Sequence, residues 1–83
     1  MIPKKLIRKK ILEALKMAEG YGKTQAMVRE LVTNLAGEDP GLQELRDVMD
    51  QLHVDASIRS EKDEDDQVLW YITPKGTAKL NTL

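Results

Sequence analysis

The amino-acid sequence predicts an α+β fold: three helices, then a β-hairpin, then a short C-terminal helical turn. Apolar residues recur at helical spacing in three successive segments up to about residue 52. Beyond that point apolar and polar residues alternate, and an acidic stretch precedes the five-residue apolar run Val68–Ile72. Glycine- and proline-containing turns separate these segments. A chain of 83 residues is expected to form a single domain, residues 1–83.

The first predicted helix covers residues 3–18. Pro3 suits a first helical turn, and Gly20-Tyr21-Gly22 is expected to end the helix. The apolar stripe consists of Ile7, Ile11, Ala14, Leu15 and Ala18.

The second and third predicted helices cover about residues 25–35 and 41–52. Thr24 is expected to cap the second helix, and Gly37 to end it. Asp39 is expected to cap the third helix, with Pro40 as its first residue. The third helix should bury Leu42, Leu45, Val48, Met49 and Leu52.

The predicted hairpin joins residues 56–60 to residues 68–73. Val54, Ala56 and Ile58 alternate with polar residues, which is typical of a half-buried strand, and residues 61–67 form the acidic tip. In the second strand, the expected core residues are Val68, Trp70 and Ile72, and Tyr71 is expected to pack against the third helix or a partner. Stacking of Trp70 and Tyr71 on nucleic-acid bases is the alternative.

The last segment begins with Thr73-Pro74 and is expected to form a helical turn that directs Ala78 and Leu80 at the core. The stretch Tyr71-Ile72-Thr73-Pro74-Lys75-Gly76, followed by Leu80, resembles the end of the second wing strand in the winged-helix family. Gly20-Tyr21-Gly22 is similar to that family's connection between the first two helices, where one residue often forms a stub of strand. The chain is similar to small prophage-type regulators of about this length, or to bacterial or archaeal regulators of the same family.

The resemblance implies a nucleic-acid-binding or transcription-regulatory domain, in which the third helix enters the DNA major groove and the wing contacts the backbone. The charge distribution disagrees with that pose. Residues 1–23 hold seven Lys/Arg and two Glu, a net of +5, whereas residues 38–66 hold eleven acids and three bases, a net of −8. Because cations at phosphates supply most of the affinity for DNA, the acidic third helix and wing are poorly suited to it.

Two classes of function therefore remain, and each has its own candidate residues. If duplex DNA is bound, the basic first helix should carry the contact through Lys4, Lys5, Arg8, Lys9 and Lys10. That helix face could instead be solubilising, with a Lys9–Glu13 pair. The second class is a protein-interaction module in which a basic partner meets the acidic third helix and wing through Glu44, Asp47, Asp50, Asp63 and Asp65.

Motifs for other chemistry are incomplete. Gly22-Lys23-Thr24 resembles the end of a phosphate-binding loop, but Met17 stands where that loop needs glycine. The spacing Asp63-x-Asp65-x-Gln67 lacks the glycine and glutamate of a calcium loop, which favours a solvated acidic turn. His53 is the only histidine and the chain has no cysteine, so no metal ligand, cofactor-binding or catalytic residue is expected.

The sequence contains no long apolar run and no secretory signal, so no membrane partner is expected. The absence of cysteine fits a cytoplasmic location. The sequence does not indicate an oligomeric state.

Overall fold

A computed structural model describes residues 2–83 and confirms the α+β class. The helix–helix–helix–hairpin–helix order is consistent with a winged-helix-like layout. The three predicted helices and both predicted strands agree with the structure to within two residues. The elements are α1 (Lys4–Met17), α2 (Gln25–Ala36), α3 (Leu42–Val54), β1 (Ile58–Lys62), β2 (Val68–Ile72) and α4 (Pro74–Thr82).

The hydrophobic core lies where α1 packs against α2, α3, α4 and β2. Because α1 has neighbours on several sides, it buries Leu12 as well as most of the predicted stripe, which widens its apolar face. Helices α2 and α3 each bury apolar residues, and β1 adds Ile58. Leu42 was expected to be buried by α3, but it lies at the first residue of the helix and is 46% exposed. The buried residues in this cluster include Ile7, Ile11, Leu12, Leu15, Val28, Val32, Leu45, Val48, Leu52 and Ile58.

The ends of α2 are as predicted. The Thr24 side chain accepts a hydrogen bond from the Met27 amide at 3.2 Å, and Gly37 closes the helix at φ 76°.

A correction concerns the start of α3, which begins at Leu42 after Gly41 and not at Pro40. Asp39 does not cap this helix. Its carboxylate accepts two hydrogen bonds from Arg29 and one from the Gly41 amide, so it fixes the preceding loop instead.

A second correction concerns the approach to β1. Val54 and Ala56 were expected in a strand, but α3 continues through Val54, whose side chain is 88% exposed. Ala56 adopts a left-handed conformation at φ 65°, which ends the helix and turns the chain. The Asp55 carboxylate accepts a hydrogen bond from the Ser57 amide and holds this turn. The strand therefore starts at Ile58, the last apolar residue of the alternating stretch.

The two strands pair antiparallel, with Ile58 opposite Ile72 and Lys62 opposite Val68. Val68 is 40% exposed, so its predicted place in the core is wrong; it lies next to the solvated tip. Trp70 and Ile72 do pack, partly buried, against the core.

Tyr71 was expected against α3 or a partner; within the described chain it lies beside Arg59 and Gly22 and not against α3. The Arg59 guanidinium lies 4.3 Å from the centre of its ring. Its hydroxyl end lies so close to Gly22 that a Cβ atom there would be 2.7 Å away. Tyr71 therefore packs between a strand neighbour and the α1–α2 connection.

The connection between α1 and α2 forms a one-residue strand, as the family resemblance led us to expect. The Lys23 amide donates to the Trp70 carbonyl at 3.1 Å, and the Trp70 amide donates back to the Lys23 carbonyl at 2.8 Å. Lys23 is thereby fixed against the hairpin.

The C-terminal segment is a helix of nine residues, longer than the predicted turn. Thr73 caps it by accepting a hydrogen bond from the Gly76 amide at 3.1 Å. Leu80 packs against the core as expected, whereas Ala78 is exposed, contrary to the prediction. Since Ala78 and Leu80 lie about 200° apart around a helix, they could not both face the core.

Candidate interaction surfaces

The five predicted cations of α1 do not form one stripe. Lys5 and Lys9 lie about 40° apart around the helix, whereas Arg8 and Lys10 lie about 200° apart. Lys10, and not Lys9, pairs with Glu13, at 3.2 Å. Arg8 lies on the side of the helix that faces the core and is half-buried. Lys4, Lys5 and Lys9 have no salt bridge with an acid among residues 2–83.

The acids of α3 divide between two sides of the helix. Gln43, Asp47 and Asp50 fall within about 60° of one another, whereas Glu44 lies about 120° from Asp50. The Gln43 side chain donates a hydrogen bond to Asp47 at 2.9 Å. The ring of His53 contacts Trp70 of β2, which places the hairpin on the Asp50 side of α3. Glu44 therefore does not join the other predicted contact residues.

At the hairpin tip, one carboxylate shapes the turn and three remain available. Asp63 accepts hydrogen bonds from the amides of Asp65 and Gln67 at 2.8 and 2.9 Å, which closes the loop. Asp66 follows in a left-handed conformation at φ 60°. Glu64, Asp65 and Asp66 are exposed, and none forms a salt bridge within residues 2–83. We define the acidic face by the carboxylates available on α3 and at the tip: Asp47, Asp50, Glu64, Asp65 and Asp66.

An open cleft lies beside Asp50, on the α3 part of the acidic face. Its lining comes from α2, α3 and β2: Gln25, Gln43, Arg46, Met49, Asp50 and Trp70. The four residues from Asp66 to Trp70 span at most about 13 Å at about 3.3 Å per residue, so the tip lies within that distance of Trp70 along the chain. Arg46 is exposed and has no salt bridge within the described chain. The cleft thus combines amide groups, an indole and one free charge of each sign.

Two ion pairs link distant parts of the chain and were missed from the sequence. Lys79 of α4 pairs with Asp55 after α3, and Arg29 of α2 pairs with Asp39. Partial burial acts to raise the pKa of Asp55, but hydrogen bonds from Lys79 and Ser57 outweigh it and lower the pKa to about 2. The Arg29 hydrogen bonds lower the pKa of Asp39. The partners are 24 residues apart in the first pair and 10 in the second, and no local sequence pattern indicates an ion pair over such a separation.

The incomplete motifs have structural roles. In Gly22-Lys23-Thr24, Lys23 bridges to β2 and Thr24 caps α2, which agrees with the interpretation as a helix connection. His53 contacts Trp70, and no cluster of three or more metal-ligating side chains occurs in the described part of the chain. Within residues 2–83, no helix has the length and apolar character needed to cross a membrane.

Comparison with models of known protein families, with curated proteins and with solved structures found no match to this chain.

Proposed function

We propose that this chain is a small interaction domain that binds a lysine- or arginine-rich segment of a partner protein along its acidic face. The observation that carries the proposal is the surplus of unpaired carboxylates on that face. Asp50, Glu64, Asp65 and Asp66 have no cationic partner among residues 2–83, and Asp47 is held only by the neutral Gln43.

The spacing of the carboxylates suits an extended peptide. The tip lies within about 13 Å of Trp70 along β2, and Trp70 and Asp50 line the same cleft. An extended segment of about six residues would therefore reach from α3 to the tip. Between the two ends, the side-chain amides of Gln25 and Gln43 offer hydrogen bonds to a peptide backbone, and Trp70 offers apolar surface.

The expected binding is electrostatic and weakened by salt. Each exposed ion pair contributes about 0.2–1 kcal/mol, so several pairs must form together for useful affinity. Complementary charge mainly raises the association rate and selects the partner, and salt screens it beyond a Debye length of about 8 Å at physiological ionic strength.

The test is a titration with a fluorescently labelled lysine-rich peptide, followed by anisotropy at low and moderate salt. The double variant Asp50→Asn, Asp65→Asn should weaken binding about tenfold, because it removes one carboxylate from each half of the face. Glu19→Gln on α1 is the matched control and should leave the affinity unchanged, since Glu19 lies outside the face and pairs with Lys16. Equal effects of the two variants would contradict the proposal.

The family assignment is part of the same proposal. Support comes from the element order, the one-residue strand at Lys23 and the helix cap at Thr73 within Tyr71-Ile72-Thr73-Pro74-Lys75-Gly76. On this proposal the chain is a winged-helix domain of a regulatory system whose acidic helix and wing contact protein. Fold alone does not determine function, so the charge of the face decides the partner.

A second candidate function is binding of duplex DNA through α1. It is favoured by Lys4, Lys5 and Lys9, which no described acid neutralises. The double variant Lys5→Glu, Lys9→Glu should then abolish binding to mixed-sequence duplex DNA. The slope of log affinity against log salt concentration should become shallower by about one for each lost phosphate contact. The same variant should leave binding of the lysine-rich peptide intact or strengthen it.

A further inference from the structure

Exposed apolar side chains gather where the end of α1, the following connection and α2 meet. Met17, Tyr21 and Met27 are 71%, 76% and 48% exposed. Two shallow depressions lie there, and both are lined by Lys23 and Leu31. The shared lining makes them one continuous surface, which we call the α1–α2 patch; it consists of Met17, Tyr21, Lys23, Met27, Glu30 and Leu31.

The composition of the patch is typical of a protein interface. Tyrosine and methionine are enriched in interfaces, and methionine adapts its shape to a neighbouring surface. Contiguous exposed apolar surface on a small domain marks an interaction site. None of the patch residues belongs to the acidic face or to the exposed lysines at the start of α1.

The charges of the patch indicate which partner it fits. Lys23 and Glu30 line the same depression, and neither forms a salt bridge within residues 2–83. The patch therefore carries one unpaired cation and one unpaired anion beside its apolar residues. In a two-fold dimer the same patch of each chain meets its copy. Lys23 of each chain can therefore face Glu30 of the other, which gives two equivalent ion pairs. A uniformly basic or uniformly acidic partner would leave one of these two charges opposed by a like charge.

We propose that the α1–α2 patch is a two-fold dimer interface between copies of this chain. The backbone of Lys23 is bonded to Trp70 in both directions, so the backbone position from which its side chain extends is fixed. Such a dimer leaves both acidic faces uncovered, and it does not depend on what they bind. Six residues a side is well below the roughly 20–30 of a standard interface, so the patch belongs with weak interfaces and the dimer should dissociate on dilution.

The test measures mass by sedimentation equilibrium and light scattering from about 10 µM to about 1 mM, the range in which weak interfaces associate. The parent chain should rise toward twice the monomer mass. Met17→Glu should weaken the dimer at least about tenfold, because it puts a charge into the apolar contact. Circular dichroism should show the variant folded, since Met17 is largely exposed.

A charge exchange separates this interface from any other. Lys23→Glu and Glu30→Lys should each weaken the dimer about tenfold, and the double variant Lys23→Glu, Glu30→Lys should restore it. A parent chain that stays monomeric over the whole range would overturn the proposal. So would association that ignores these variants and disappears in moderate salt, because that behaviour indicates head-to-tail contact of basic α1 with the acidic face.

Discussion

The rings of Trp70 and His53 meet edge to face, with centroids 5.2 Å apart and planes 89° apart. This contact joins β2 to the last turn of α3. Because the backbone of Trp70 also bonds to Lys23 in both directions, this one residue connects the hairpin, α3 and the start of α2. Its indole nitrogen is buried without a hydrogen-bond partner in the described chain, so Trp70 contributes through packing.

Replacing Trp70 tests that packing. Trp70→Ala should lower the free energy of unfolding by about 2–4 kcal/mol, somewhat less than for a fully buried aromatic because part of the ring remains exposed. Trp70→Phe keeps a ring without an unpaired N–H group and should cost about 1 kcal/mol or less. Urea unfolding followed by circular dichroism measures both. An alanine variant as stable as the parent would show that the hairpin does not depend on this contact.

The ion pair between Asp55 and Lys79 predicts a loss of stability in acid. The pKa of Asp55 is about 2 in the folded chain, below its ordinary value of 3.8, so folding favours the ionised form. The ion pair therefore contributes fully to the free energy of unfolding above about pH 4, and this contribution is lost as the pH falls toward 2. We expect the contribution to be about 1–2 kcal/mol, after allowance for the partial exposure of the pair. Unfolding measured across this range should show a steeper decline for the parent than for Asp55→Asn. Asp50→Asn, at an exposed position, should decline like the parent.

Gly76 should not tolerate a side chain even though it lies in a helix. A Cβ atom there would be 2.1 Å from the carbonyl oxygen of Ser57, which belongs to the backbone before β1. Gly76→Ala should therefore destabilise the chain by at least about 2 kcal/mol, whereas glycine-to-alanine changes inside helices usually stabilise. Lys75→Ala on the same helix is the control and should change thermal stability little. A Gly76→Ala variant that melts above the parent would show that α4 packs less closely than the structure has it.

Periodicity and cap residues were enough to predict most of the fold. Thr24, Gly37 and Thr73 mark helix ends through local hydrogen bonds or backbone conformation, and such features can be recognised within a few residues of sequence. Asp39 has the same local pattern, yet the prediction failed because Arg29, ten residues away, binds its carboxylate. The prediction for Ala56 failed for a similar reason: its left-handed turn is held in part by a hydrogen bond that its carbonyl accepts from the Thr73 hydroxyl, 17 residues away.

The candidate surfaces were less predictable than the fold. Charge totals located the acidic and basic regions, because net charge depends on sequence alone. They did not show that Glu44 lies away from Asp50, that Asp63 is used in closing the tip, or that Lys10 pairs with Glu13. The cleft could not be foreseen either, since Gln25, Gln43 and Trp70 come from three different elements.

Arg46 separates the proposed function from the usual winged-helix pose, in which α3 and the wing bind DNA, since it is a free cation in the cleft that Asp50 also lines. For a lysine-rich partner it is a like charge, so its removal should favour binding. For DNA bound through α3 and the wing it would be a main phosphate or base contact, so its removal should weaken binding. The same substitution therefore changes affinity in opposite directions.

The decisive measurement is the affinity of the parent and of Arg46→Ala for a labelled lysine-rich peptide and for a labelled duplex DNA, at equal ionic strength. We expect Arg46→Ala to bind the peptide about two- to fivefold more tightly, which corresponds to removing one exposed repulsive pair. DNA binding by the parent should be weak and unchanged in the variant. Peptide affinity that stays the same or falls, together with loss of DNA binding, would contradict the account and establish α3 as a DNA-contacting helix.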